Sequence, residues 1–207
     1  MIIAVDGPTA SGKGTIATAI ARHFGLPCLD TGLLYRAVGR QVELVGGDPE
    51  NAEDALAGAD FPDTLLADPE LRSEVIGSYA SRVSVHPKVR QALFDRQRSF
   101  AQQAGGAVLD GRDIGTVICP DADVKLFVTA SLDARTDRRF AELKGHGRDV
   151  TREEVRDQIA RRDERDMGRK DAPLKPAPDA YILETTALDK DASIAAAIEV
   201  VETKRKG

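Results

Sequence analysis

Tryptophan is absent from this chain of 207 residues, and all aromatics together make up only 4% of it. So few flat rings argue against a base-stacking platform for single-stranded nucleic acid. A net charge of −5 works against a polyanionic partner as well, so no nucleic acid is expected to bind. The 3 histidines, His23, His86 and His146, stand alone, and no histidine-based metal site is visible. The 2 cysteines, Cys28 and Cys119, lie far apart without a Cys-x-x-Cys, and read as buried, reduced thiols of a cytoplasmic protein. No apolar run approaches the roughly 20 residues of a membrane span. The opening run, Met1 to Val5, is too short for a secretory leader. Neither a membrane protein nor a secreted one is expected.

What is present fits one ordinary domain. Apolar residues are 42% and charged residues 30%, enough for a real core. Short apolar runs end in acidic or turn residues at Met1–Asp6, Pro27–Asp30, Ala107–Asp110, Val124–Thr129 and Tyr181–Glu184. They read as strands buried on both faces, with helical patterns between them. The fold class is therefore α/β, with a parallel sheet of about five strands. Asp6, Asp30 and Asp110 sit at carboxyl ends of strands, where such sheets bind ligands. A helix is predicted from Lys13 to Phe24, with Ile16, Ala17, Ile20, Ala21 and Phe24 on one stripe and Gly25 as its stop. Roughly 75 residues separate the second and third strands, too many for one crossover, and suggest an inserted helical subdomain. Its last helix is predicted over about Pro87–Gln103, with Val89, Leu93 and Phe100 on one side. Residues 135–170 hold 12 Lys/Arg and 9 Asp/Glu, so the positive charge of an acidic chain collects there. Gly145-His146-Gly147 reads as a mobile turn, and Thr151 with Glu154 as a capping box that starts the next helix.

Gly7-Pro8-Thr9-Ala10-Ser11-Gly12-Lys13 fits G-x-x-x-x-G-K between a predicted strand and a predicted helix. Glycines let backbone N–H groups converge on a phosphate, and the helix N-terminus adds partial positive charge. Lys13 adds a full cation for the β/γ-phosphates of a nucleoside triphosphate. Position 14 is Gly14 and the hydroxyl comes one residue later, at Thr15, so the usual Mg²⁺-binding Ser/Thr is displaced. Gly-Lys-Gly-Thr is the spelling of nucleoside monophosphate kinases, in which nucleotides and water hold most of the metal. A regulatory GTPase needs an Asn-Lys-x-Asp to read guanine. Asn51, the single asparagine, is followed by Ala52 and Glu53, which excludes that class.

Val155, Ile159, Arg162, Asp166 and Arg169 share one helical face that begins apolar and turns charged. Arg162 and Asp166 read alone as a solvated ion pair of small worth. On a core-facing stripe near a phosphate loop, they read instead as partners of an anionic ligand. Arg36 and Arg112 follow the second and third strands. Arginine forks bind phosphate oxygens two at a time, and several would stabilise a transferring phosphoryl group.

Together, several stretches resemble the bacterial cytidylate kinase family over essentially the whole chain. They are Asp6-Gly7-Pro8 through Thr15, Leu29-Asp30-Thr31-Gly32 with Tyr35-Arg36, Ala80-Ser81-Arg82-Val83, Val89-Arg90, Asp110 through Thr116, Arg162 through Asp166, and Arg169 with Ala172-Pro173-Leu174. The resemblance implies a three-layer P-loop fold in three parts. Residues 1–36, 105–139 and 157–207 would form a CORE, 37–104 a monophosphate-binding insert, and 140–156 a LID. It implies phosphorylation of CMP, and of dCMP, from ATP with Mg²⁺ in pyrimidine metabolism. Gly7 through Thr15 would hold ATP, with Arg138 or Arg139 reaching its phosphates from the LID side. Ser81, Arg90 and Asp113 would read cytosine, whose amino donor and ring acceptors complement a hydroxyl, an arginine and a carboxylate. Thr31, where the family often has Ser, would also face CMP. Asp166 and Arg162 would hold the ribose, and Arg36, Arg112, Arg162 and Arg169 the CMP phosphate. Lys13, Arg112, Arg162 and Arg169 would be catalytic, and Asp110 would order Mg²⁺-bound water. Ala10 stands where the family commonly has Gly.

Residue by residue, blander readings stay open. Ser81 has a second reading as a helix-surface serine, Arg90 as paired with a neighbouring carboxylate and Asp113 as a turn cap, while Tyr35 reads as packing rather than chemistry. Adenylate or shikimate kinases, and an ATP-hydrolysing switch protein, are the competing classes. Nothing in the sequence requires more than a monomer.

Overall fold

A computed structural model describes residues 1–206. Its centre is a sheet of five parallel strands: β1 (Ile2–Asp6), β2 (Cys28–Asp30), β3 (Ala107–Gly111), β4 (Val124–Thr129) and β5 (Tyr181–Glu184), in the order β2-β3-β1-β4-β5. On one face, α1 (Lys13–Phe24) and α8 (Lys190–Lys206) enclose Ile3, Val5, Ile16, Ile20, Leu126 and Val201. On the other, α5 (Pro87–Ala101) and a π-type turn at Ile114–Ile118 cover Ala4, Leu109, Ile114 and Ile118. Each fully buried Ile or Leu contributes roughly 1.5–3 kcal/mol, so these two layers carry much of the stability.

The expectation of strands buried on both faces holds for β1 and β3 and fails at the edges. Tyr181 and Ile182 of β5 are about half exposed, and Cys28 of β2 is exposed. An edge strand has a neighbour on one side only, and neither end of this sheet is fully covered. Of the two expected buried thiols, only Cys119 is buried.

Between β2 and β3 run α2 (Thr31–Leu44), α3 (Ala52–Ala57), two 3₁₀ turns at 63–67 and 69–72, α4 (Glu74–Val83) and α5. Asn51 and Ser73 start α3 and α4 by accepting backbone N–H groups, at 2.8 Å from Glu53 and 3.2 Å from Ile76. These helices share a cluster of their own, including Leu34, Val38, Val42, Leu71, Ile76, Val89 and Leu93. The predicted single apolar side of α5 is divided. Val89 and Leu93 join this cluster, whereas Phe100 packs under the sheet.

After β4 come α6 (Leu132–Gly145) and α7 (Arg152–Gly168). The predicted capping box is present, with Thr151 and Glu154 each accepting the other's backbone N–H. Leu143, Val155 and Ile159 hold the pair of helices together. Arg169, expected on the helical face, is instead the residue that ends α7, with φ −60° and ψ 137°.

Candidate active site

The parallel register sets the site. Asp30 pairs with Asp110 and Asp6 with Gly111, so three strands end side by side where the phosphate loop begins. Gly12, at φ 88°, precedes α1 without a side-chain cap, which leaves first-turn N–H groups to an incoming anion. Ala10 holds the left-handed region at φ 59°, which costs a non-glycine residue roughly 1–2 kcal/mol. Lys13 reaches back to the carbonyl of Pro8, 3.4 Å away. Burial, then the neighbouring charge of Arg112, pulls its ammonium pKa well below that of a free lysine. Beside it, burial and Asp30 push the Asp110 carboxyl up. A Cβ at position 14 would lie 3.1 Å from Asp110 Oδ2, so Gly14 makes the room this carboxylate occupies.

Next to the loop opens a narrow cleft. It brings together Thr31, Ser81, Arg90, Arg112, Asp113, Arg162, Asp166 and Arg169, all named from the sequence, with Tyr35 as a wall. Arg112 spans both regions: its Nε donates to Asp166 at 2.8 Å and its NH2 to Thr9 Oγ1 at 3.0 Å. The solvated pair of Arg162 with Asp166, which the spacing alone offers, is absent: Asp166 pairs with Arg112. Arg162 Nε is buried without a partner among the described residues. Burial, then Arg112, pulls its pKa down to about 9. Burial pushes Asp166 up, but Arg112, Arg162 and Arg169 outweigh it and hold the carboxylate below its ordinary range. Arg169 NH2 is buried without a hydrogen bond among the described residues and lies 4.0 Å from Asp166 Oδ1.

At the far end of the cleft Arg90 pairs with Asp113, so the sequence reading of Arg90 beside a carboxylate is realised. One terminal nitrogen of Arg90 has no hydrogen-bond partner among the described residues. Ser81 is 2% exposed, which removes the surface-serine reading. Thr31 donates to the carbonyl of Asp110 at 2.8 Å, and its oxygen would lie 2.6 Å from a Cβ at Gly111.

Three candidates stand apart from the cleft. Arg36 donates to the carbonyls of Leu71 and Ser73, at 2.6 and 3.0 Å. Arg138 is bound to the carbonyls of Thr185 and Leu188. Arg139 pairs with Glu142 and, at 3.4 Å, with Glu74 at the start of α4.

Two further polar groups, outside the predicted site residues, support it. Arg135 supports the loop by donating to Thr9 O at 3.1 Å while paired with Asp163 at 2.6 Å. Asp6 accepts the N–H groups of Ile114 and Gly115, both at 2.8 Å, and so fixes the turn that follows Asp113. Strand-end position and the loop stretch marked Asp6, and nothing marked Arg135. Burial lifts Asp6 from 3.8 to about 6, against the pull of those two amides. Between these values the folded chain keeps a proton that the unfolded chain has lost, so this group's stability contribution falls as pH rises through 6. Asp6→Asn cannot titrate. Its unfolding free energy relative to wild type is expected to climb by roughly 3 kcal/mol from acid to neutral pH. Urea melts across that range measure it, and parallel curves for the two proteins would refute it.

The donor set also suits Mg²⁺. The carboxylates of Asp110 and Asp30 converge at the loop mouth, but no group of three or more metal-binding side chains exists among the described residues. An ion that keeps most of its water and meets protein oxygen sparingly fits that arrangement. No described helix is long and apolar enough to cross a membrane.

A family model described as "Cytidylate kinase" matches residues 3–56 and 62–203. The "Cytidylate kinase" of Methylocella silvestris is 54% identical over 204 residues, covering 98% of this chain and 94% of that one. Its counterpart in Xanthobacter autotrophicus is 53% identical over 208 residues, covering 100% of both. Among solved structures, an uncharacterized protein from Eubacterium ventriosum shares the fold, with a TM-score of 0.56 at 16% identity over 100% of this chain and 99% of that one. With the motifs in place around one cleft and the match running almost end to end, the chain belongs to the cytidylate kinase family of phosphotransferases.

Proposed function

We propose that the chain transfers the terminal phosphoryl group of ATP to CMP, and to dCMP, giving ADP and the diphosphate. The observation that carries this reading is Arg112, which touches the phosphate loop at Thr9 and the arginine-lined cleft at Asp166. A donor phosphate on the loop and an acceptor phosphate in the cleft would meet around it.

The acceptor oxygen of CMP needs no general base, because its second pKa is about 6 and it is largely ionised at neutral pH. Catalysis is then positioning and charge neutralisation. Gly7 through Thr15 and Lys13 hold the ATP phosphates. Arg112, Arg162 and Arg169 hold the CMP phosphate, with Arg162 and Asp166 also at the ribose. Arg36 joins them only by leaving the carbonyls of Leu71 and Ser73. Mg²⁺, ordered by Asp110 through water, would supply further neutralisation of phosphate charge. Ser81, Arg90 and Asp113 read the base, with Thr31 at the floor. The helices within 37–104 carry Ser81 and Arg90, and the turn within 140–156 closes over ATP and excludes water. Arg138 and Arg139, at the base of that turn, reach ATP only by exchanging their present partners. One chain supplies every residue of the site, consistent with a monomer working in the cytoplasm.

The test is diphosphate formation from ATP-Mg²⁺ with CMP, dCMP, UMP, AMP or GMP as sole acceptor. Strong turnover is expected with CMP and dCMP only. Uracil lacks the amino group that a carboxylate accepts. Asp113→Asn should therefore cut the preference for CMP over UMP by about 10- to 100-fold. Turnover with AMP would discard the base-reading set, and phosphate release without a diphosphate product would discard the kinase reading.

A further inference from the structure

Ser81 is held by a residue outside the roles assigned above. Arg165, on α7 between Arg162 and Asp166, donates its Nε to Ser81 Oγ at 3.1 Å. A serine within a helix commonly turns its hydroxyl back to a carbonyl one turn earlier. Ser81 makes no such bond: among the described residues, the contact with Arg165 is the only hydrogen bond of its side chain. Ser81 is 2% exposed and lines the cleft, and its hydroxyl is left with its proton and one lone pair for a ligand. A charged donor holds an oxygen about twice as strongly as a neutral one. From these contacts we infer that Arg165 is a positioning residue for base selection. It fixes the Ser81 hydroxyl toward the cleft and ties α4 of the insert to the helix that carries Arg162 and Asp166. The inference rests on Ser81 reading the base.

Arg165 has a second means of acting, because its charge also bears on the neighbouring Arg162. A direct effect of that charge on the substrate phosphate would persist without Ser81 and would survive replacement by lysine. A positioning effect would do neither, since lysine has no Nε–H in the same place. The experiment is a double-mutant cycle with Arg165→Met, Arg165→Lys, Ser81→Ala and the Arg165→Met/Ser81→Ala pair. The readouts are kcat and KM for CMP, UMP and ATP.

Arg165→Met is expected to raise KM for CMP about tenfold. It should narrow the preference for CMP over UMP and leave KM for ATP unchanged. Arg165→Lys should fail to restore either property, and Arg165→Met should change nothing further in the Ser81→Ala background. Additive effects, rescue by lysine, or an Arg165→Met enzyme with unaltered selectivity would each overturn the inference. If Ser81→Ala alone leaves selectivity unchanged, the base-reading role of Ser81 falls and the inference with it.

Discussion

Arg162→Ala is expected to lower kcat by about a thousandfold while leaving the protein as stable as before, or more so. The reason lies in what surrounds the guanidinium. Its Nε is buried without a hydrogen-bond partner among the described residues, Asp166 is already engaged by Arg112 at 2.8 Å, and Arg112 repels it. Burial and that repulsion bring its pKa down to about 9, so the folded chain carries this charge at a cost. A dianionic phosphate in the cleft would remove the cost, and one spread over transferring oxygens would do so more fully. Alanine abolishes both the cost and the catalytic gain. Thermal unfolding should stay level or move up by a few degrees, by roughly 1–3 kcal/mol at most. Steady-state rates with CMP and a calorimetric melt test the two halves together. Turnover within tenfold of wild type would remove Arg162 from the reaction. A large drop in stability would make it a structural residue.

Lys13→Met is expected to reduce kcat/KM for ATP by about a hundred- to ten-thousandfold, with KM for CMP changed far less. Methionine keeps much of the apolar stem and removes only the cation. The carboxylates of Asp110, which is buried, and Asp30 would then face the triphosphate with less to offset them, so ATP affinity itself should fall. Calorimetric titration with ATP in the absence of CMP separates this loss of binding from a loss in the chemical step. If Lys13→Met binds ATP and turns over normally, the loop is an ordinary glycine turn and the phosphate site lies elsewhere.

Some features were legible in the chain because they are local. The phosphate loop, α1 and its stop at Gly25, and the capping box of α7 each depend on residues within a few positions of one another. The α/β class followed from short apolar runs between helical patterns. Where the sequence reading failed, the deciding neighbour was distant. The exposure of Cys28 and Ile182 depends on being at a sheet edge, which no pattern within a strand of three or four residues encodes.

Charge partners divide in the same way. The sequence determined that arginines, aspartates and a Gly-rich loop exist in an order that suits two phosphates and a pyrimidine. It did not determine who pairs with whom. Spacing within α7 could offer only Arg162 as a neighbour for Asp166, a reading set aside for an anionic ligand, and Asp166 pairs with Arg112, 54 residues away. Arg112 approaches from the end of β3, and the parallel register brings that strand end beside the phosphate loop. Asp6 binds the turn at Ile114 and Gly115 across about a hundred residues, and Arg165 finds Ser81 across 84. Helical spacing of three and four residues records only neighbours on one helix, and each is worth a few tenths of a kcal/mol. Buried ion pairs are chosen by which groups must be satisfied once water is excluded. That choice is made only when the strands and the insert have packed.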